Sequence, residues 1–151
     1  MVKPHELEAF LKTQIPQTSS LGVQVVRADP QGVELWAPLT LNHNHLNTAF
    51  GGSLNSIMLL ACYTWLFDRL NLQNQDQHIV LKQSQAQYFF PVDEDIKAYC
   101  LEPDPESFQK FEKIFQRKGR ARILLSAYVQ ISRGKACELQ GEFVTVAGVS
   151  G

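Results

Sequence analysis

The stretch from Ser53 to Leu70, Ser-Leu-Asn-Ser-Ile-Met-Leu-Leu-Ala-Cys-Tyr-Thr-Trp-Leu-Phe-Asp-Arg-Leu, decides the fold. Its apolar residues recur on every face of a helix running from Leu54 to about Leu70. A membrane span needs about 20 apolar residues, and this run is broken by Thr64 and ended by Asp68 and Arg69, so it reads as a buried core helix. A helix without a polar face has to be enclosed by other elements.

Working outward, the enclosing elements are mostly strands. Before the helix, Gly22 to Arg27 and Val33 to Ala37 form a hairpin across Ala28-Asp29-Pro30-Gln31-Gly32. After it come His78 to Phe90, ended by Pro91, and Asp95 to Leu101. Arg122 to Ser132 follows, with Ile123, Leu125, Ala127, Val129 and Ile131 on one face, and then Glu138 to Val146. Two amphipathic helices complete the set. Pro4 to Gln14 carries Leu7, Phe10 and Leu11. Pro105 to Lys118 carries Phe108, Phe111, Ile114 and Phe115, with Gly119 placed as its C-cap. Because strands follow one another instead of alternating with helices, the fold class is α+β: a curved antiparallel sheet wrapped around the long central helix. Such a wrapped sheet leaves an edge for a second copy, so a homodimer is expected.

The chain has 151 residues, 44% hydrophobic and 19% charged. A domain of this size buries roughly 68–70% of its unfolded surface, so residues 1–151 are expected to form one domain, with 1–17 as its N-terminal helix, without disulfide or metal. Lys+Arg 14 against Asp+Glu 15 leaves a net charge of -1, which argues against nucleic acid or a membrane surface as partner. Three widely spaced cysteines and an N-terminus lacking an apolar leader point to reduced thiols and a cytoplasmic protein.

Function is sought in Asn42-His43-Asn44-His45-Leu46-Asn47-Thr48-Ala49-Phe50-Gly51-Gly52-Ser53, the end of a long polar loop that enters the central helix. Two glycines let a substrate approach the backbone, and the first helical turn offers free N–H groups and the positive end of the dipole. That suits a carbonyl oxygen becoming an oxyanion. The alternative is a tight turn with no ligand. Ser53 reads as the helix N-cap; as a nucleophile it lacks the Gly-x-Ser-x-Gly elbow. His43 and His45 could both face a metal, but no third ligand stands at a recognisable spacing. His45 could also serve as a base.

This organisation, with Tyr88-x-x-Pro91 closing the long strand, resembles the hotdog-fold thioesterases, and within them the thioesterase-type domain found at the C-terminus of YiiD-type acetyltransferases. The resemblance runs from about Thr18 to Val146. It implies hydrolysis of an acyl-CoA or acyl-carrier thioester without a cofactor. The motif Asn-x-x-Gly-x-x-His-Gly-Gly maps onto Asn44, Asn47 (for Gly), Phe50 (for His), Gly51 and Gly52, which implies that the Gly51-Gly52 backbone receives the thioester carbonyl while Asn44 and Asn47 position the reactants. In several such enzymes a helix carboxylate stands nine residues after the His position; here it is Leu59, and Asp68 lies roughly 22 Å from Ser53 at ~1.5 Å per residue. The base is therefore unassigned, with Ser84, Gln85, Asn55 or a bound water as contributors. Further expected substrate contacts are Asn42, Thr48, Phe50, Ser53 and Asn55.

Arg120 and Arg122, beside Arg117 and Lys118, read either as solvated cations at a helix end or as a dock for coenzyme A phosphates. Trp65, Phe67, Met58 and Tyr63 are core or the wall of an acyl tunnel. A non-catalytic acyl-CoA binder on the same fold is the alternative function. A hotdog dehydratase would need an Asp and His pair near the helix entrance, and none is spaced for it.

Overall fold

The structure is a computed structural model that describes residues 2–70 and 77–148. In chain order it contains helices α1 (Pro4–Gln14) and α2 (Gln17–Leu21), strands β1 (Gln24–Asp29) and β2 (Gly32–Ala37), and helix α3 (Gly51–Arg69). Then follow β3 (Gln77–Tyr88), β4 (Ile96–Leu101), α4 (Pro105–Lys118), β5 (Arg120–Ile131) and β6 (Gly134–Ala147). The strands form one antiparallel sheet in the order β1-β2-β4-β5-β6-β3. Helix α3 packs against every strand from β2 to β6, so the sheet wraps it as the sequence leads one to expect.

Alternation along the strands supplies the inner face. Ala121, Ile123, Leu125, Ala127, Val129 and Ile131 of β5 point inward together with Ile96, Ala98 and Cys100 of β4. They meet Ile57, Met58, Ala61, Trp65 and Leu66 on α3. Helix α1 closes one end through fully buried Leu7 and Leu11, and its Phe10 stacks on Phe67 with ring centroids 4.1 Å apart. At the other side Phe108 of α4 meets Trp65 edge-on at 5.4 Å. Gly119 ends α4 at φ 68, and its N–H donates to the Phe115 carbonyl at 2.8 Å. The C-cap expected from sequence is therefore present.

Besides strands β5 and β6 starting earlier than expected, at Arg120 and Gly134, three details differ from the sequence reading. A short helix, α2, precedes the first strand, because left-handed Gly22 at φ 69 terminates a turn that hydrophobic alternation alone does not reveal; β1 consequently starts at Gln24. The central helix begins at Gly51 instead of after Ser53. Phe50 occupies the N-cap position and supplies no side-chain cap, so Ser53 is the third helical residue and not the cap. Finally, α3 is not enclosed all round: Asn55, Ser56, Leu59, Tyr63 and Phe67 form a half-buried stripe at helical spacing.

Asp68, near the end of α3, is buried; its Oδ1 accepts from the Val2 N–H at 3.1 Å, while Oδ2 has no partner among the described residues. Burial raises its pKa above 3.8, against the weaker pull of the Val2 N–H and Arg69. A carboxyl whose folded pKa exceeds its unfolded value gives stability that is full below the unfolded pKa and is lost as pH rises through the folded one. Asp68→Asn keeps an acceptor for Val2 and escapes that loss. Its melting temperature should exceed the parent's at pH 7, with the advantage fading towards pH 3.8; thermal melts across that range would show a pH-independent difference if burial of Asp68 carries no such penalty.

Candidate active site at the start of the central helix

The polar loop before α3 is tightly built. Leu39–Leu41 form one 3-10 turn, and His43 bridges Ala49. Asn42 is buried; its Nδ2 donates to the Leu21 carbonyl at 2.9 Å and the Pro38 carbonyl at 2.7 Å, and its backbone carbonyl accepts from Phe50 N–H. Asn44 caps a turn: Oδ1 accepts from the N–H groups of Leu46 (2.8 Å) and Thr48 (3.2 Å), and Nδ2 donates to Thr48 Oγ at 2.9 Å. Asn42, Asn44 and Thr48, expected from sequence to touch substrate, thus spend their side chains shaping the loop. Short amides hydrogen-bond nearby backbone more readily than they stay free for a ligand.

Asn47 explains its own motif position. It is the described non-glycine residue with positive φ, at 61. Only Gly, Asn and Asp enter that region readily, which is why Asn can stand where the family pattern has Gly. Asn47 is exposed and acts through its backbone. Asn47→Gly should unfold within a few tenths of a kcal/mol of the parent, whereas Asn47→Val should cost about 1–2 kcal/mol, measured by denaturant titration; equal stability of the two variants would refute the backbone role.

The loop delivers the chain to an uncapped helix. Ala49 N–H donates to the Val92 carbonyl at 2.7 Å and Leu54 N–H to the Phe50 carbonyl at 3.1 Å, leaving Gly51, Gly52 and Ser53 N–H without an acceptor among the described residues. Neither glycine has the positive φ of Gly22, Gly119 and Gly134. A Cβ on Gly51 would meet nothing within 4 Å, and one on Gly52 would meet the Phe50 ring at 2.5 Å. No backbone conformation demands glycine here, although glycine costs roughly 0.5–1 kcal/mol in a helix. What both glycines provide is room beside three free amides.

The end of β3 reaches the start of α3 through Tyr88. Tyr88 Oη donates to the Gly51 carbonyl at 3.4 Å, and burial raises its pKa, so it stays a neutral donor. Its neighbour across the ladder, Cys137, is pushed up to about 11 by burial, and its thiol packs on Met58 at 3.9 Å. An un-ionised thiol is a poor nucleophile. Phe50 is 58% exposed beside Gly52. Asn55, one turn on, is half-buried, and no hydrogen bond engages its amide among the described residues. His43 Nδ1 lies 2.9 Å from the Asn44 carbonyl, and His45 is exposed. Among the described residues no group of three or more His, Cys, Asp or Glu could hold a metal.

Other expected site residues lie far away within one chain. Ser84 faces the same side of β3 as Tyr88 but four residues back, about 13 Å at ~3.3 Å per residue. Arg122 shares a rung with Val144 and Val80, and Arg120 with Val146 and His78. These rungs lie roughly 26–33 Å along the sheet from Tyr88, so neither arginine can meet a ligand at Gly51-Gly52 of its own chain. Arg122 is instead 3.5 Å from Glu142. A cleft of about 730 Å³ lies away from the glycines, between α4 and β5.

A six-stranded antiparallel sheet wound round one central helix is a hotdog fold, with free amides at the helix entrance. Residues 4–147 match the family described as "Putative thioesterase (yiiD_Cterm)", and the chain belongs to that family. Among solved structures it is similar to a protein of unknown function from Chlorobaculum tepidum, with 27% identity, TM-score 0.88, and coverage of 96% of this chain and 94% of that one. A Shewanella oneidensis protein described as a "putative thioesterase" has 23% identity and TM-score 0.83, covering 95% and 96% of the two chains. A probable thioesterase from Pseudomonas aeruginosa has 20% identity and TM-score 0.77, covering 97% and 98%. A search of curated proteins returned no match. No helix among the described residues is long and apolar enough to cross a membrane.

Proposed function

We propose that the protein hydrolyses the thioester of an acyl-CoA or acyl-carrier substrate, with the carbonyl oxygen on the Gly51, Gly52 and Ser53 amides. The observation that carries this reading is the pair of glycines that neither φ nor packing at Gly51 requires, standing before unpaired N–H groups. Water adds to the acyl carbon, the oxygen takes up negative charge against the amides and the helix dipole, and the C–S bond then breaks. The proton released by water ends on the departing thiolate. Asn55 has the free amide placed to orient that water, while Asn44, Asn47 and Thr48 hold the loop.

The functional unit in this proposal is a homodimer. β3 is an edge strand of 12 residues, exposed along most of its length, and includes Val80 at 54% and Leu81 at 41% exposure. A long edge of this kind is a ready template for pairing. Antiparallel pairing with a second β3 would bring the start of one strand, with Arg120 and Arg122 on adjoining rungs, to the Gly51-Gly52 end of the other, while Ser84, near the strand's middle, would face the middle of its partner. The arginines would then meet coenzyme A phosphates in trans.

Leu59 in place of a helix carboxylate favours a second reading, an acyl-CoA binder without turnover. Thiol release from a panel of acyl-CoA and acyl-carrier thioesters separates the two. Hydrolysis supports the first reading; thermal stabilisation by acyl-CoA with no thiol released supports the second and overturns the first.

A further inference from the structure

Tyr88 ends β3 on a firmly held piece of backbone. It pairs with Cys137 at the last rung of the β3–β6 ladder, and just beyond it the Phe89 and Phe90 N–H groups both donate to the Ala136 carbonyl, at 2.7 and 3.1 Å. Cys137 is buried and packs its thiol on Met58 of α3. The strand end is thus fixed against the central helix, and the hydroxyl it carries reaches the Gly51 carbonyl at 3.4 Å. Gly51 opens α3, and its carbonyl shares one peptide unit with the Gly52 N–H. In a helix the N–H groups point to the N-terminus and the carbonyls the other way, so Tyr88 meets this unit from behind and leaves the Gly52 N–H facing forward.

Resting on the thioesterase reading, we infer that Tyr88 is a positioning residue: through the Gly51 carbonyl it holds and polarises the peptide whose Gly52 N–H receives the thioester oxygen, making that amide the strongest of the three donors. Hydrogen bonds in series strengthen one another by about 10–30% per bond. The other two amides lack this support among the described residues. The Gly51 N–H shares its peptide with the Phe50 carbonyl, which takes the Leu54 N–H at 3.1 Å, and the Ser53 N–H shares its own with the Gly52 carbonyl, to which no side chain donates. Burial raises the Tyr88 pKa, so the hydroxyl keeps the proton it donates. Negative charge develops on the oxygen only in the transition state, so the effect falls on the rate and not on substrate binding.

Tyr88→Phe removes the hydroxyl and keeps both the ring and the strand pairing. With one oxyanion donor worth about 10²–10³ in rate, a change of about 10–30% in its strength is a factor of roughly two to eight. In Tyr88→Phe, kcat should fall by that factor with KM unchanged. The same substitution should cost nothing further in a Gly52→Val background, where the amide is already blocked, because two changes on one path are not additive. In nitrogen–proton spectra of the substrate-free protein, the Gly52 amide resonance should move upfield in Tyr88→Phe while those of Gly51 and Ser53 stay. An unchanged kcat, a loss carried by KM, an equal further fall in Gly52→Val, or a Gly52 resonance that does not move overturns the inference. If the parent hydrolyses no thioester, the thioesterase reading fails separately and the spectra decide alone: a shift confined to Gly52 upholds the polarised peptide, and no shift, or one shared by all three amides, overturns it.

Discussion

Gly52→Val should lower kcat/KM by about 10²–10³-fold, the loss usual for one oxyanion donor, while the protein stays folded. The fold tolerates the change because Gly52 has no positive φ and the group a new Cβ would meet is the ring of Phe50, which is 58% exposed and can swing outward. The chemistry does not tolerate it, because the added methyls fill the space through which a carbonyl would reach the amides. Gly51→Ala supplies the gradation: its Cβ enters open space, so a smaller fall in rate should accompany an unchanged or slightly raised melting temperature. Steady-state kinetics paired with thermal melts measure both. Undiminished turnover in well-folded Gly52→Val would move the carbonyl site elsewhere.

Gln83→Lys combined with Gln85→Lys should convert a dimer to monomers and cost about 10²-fold in turnover, as misplacing reactants generally does. Both residues stand near the middle of β3, so antiparallel self-pairing sets each close to its own copy, and like charges opposed across a ladder repel. The monomer should survive, since β3 remains paired to β6 from Gln77–Ala147 to Tyr88–Cys137. Light scattering gives the mass and the acyl-CoA assay the rate. Monomers with full activity would show that no residue of a second copy is needed, and Arg120 and Arg122 would leave the proposed site.

Much of this architecture is legible because hydrophobic period follows burial. The alternation of β5 and the apolar faces of α1 and α4 could be read residue by residue, and Gly119 was identifiable from its place after a helical stripe. Helix α2 was not legible, since Gln-Thr-Ser-Ser-Leu carries no period and is held by Gly22 and by Thr18 Oγ donating to the Leu11 carbonyl at 3.3 Å. The loop amides show the same gap at the site. An Asn in a polar loop reads equally well as a ligand contact or a turn former, and only the acceptors around Asn42 and Asn44 separate the two.

The sequence by itself determined the fold class and family: an all-apolar helix amid alternating strands admits few enclosures, and Phe50-Gly51-Gly52 marks the helix entrance. Tertiary structure decided which groups can act together. It put Ser84, Arg120 and Arg122 too far along the sheet to serve their own Gly51-Gly52, assigned Asn47 to a left-handed backbone position, and left the Asn55, Ser56, Leu59, Tyr63 and Phe67 stripe of α3 only half-buried. The physical reason is that periodicity records whether a residue is buried or exposed, whereas a site depends on distances between residues remote in sequence, which are fixed only when the sheet closes around the helix.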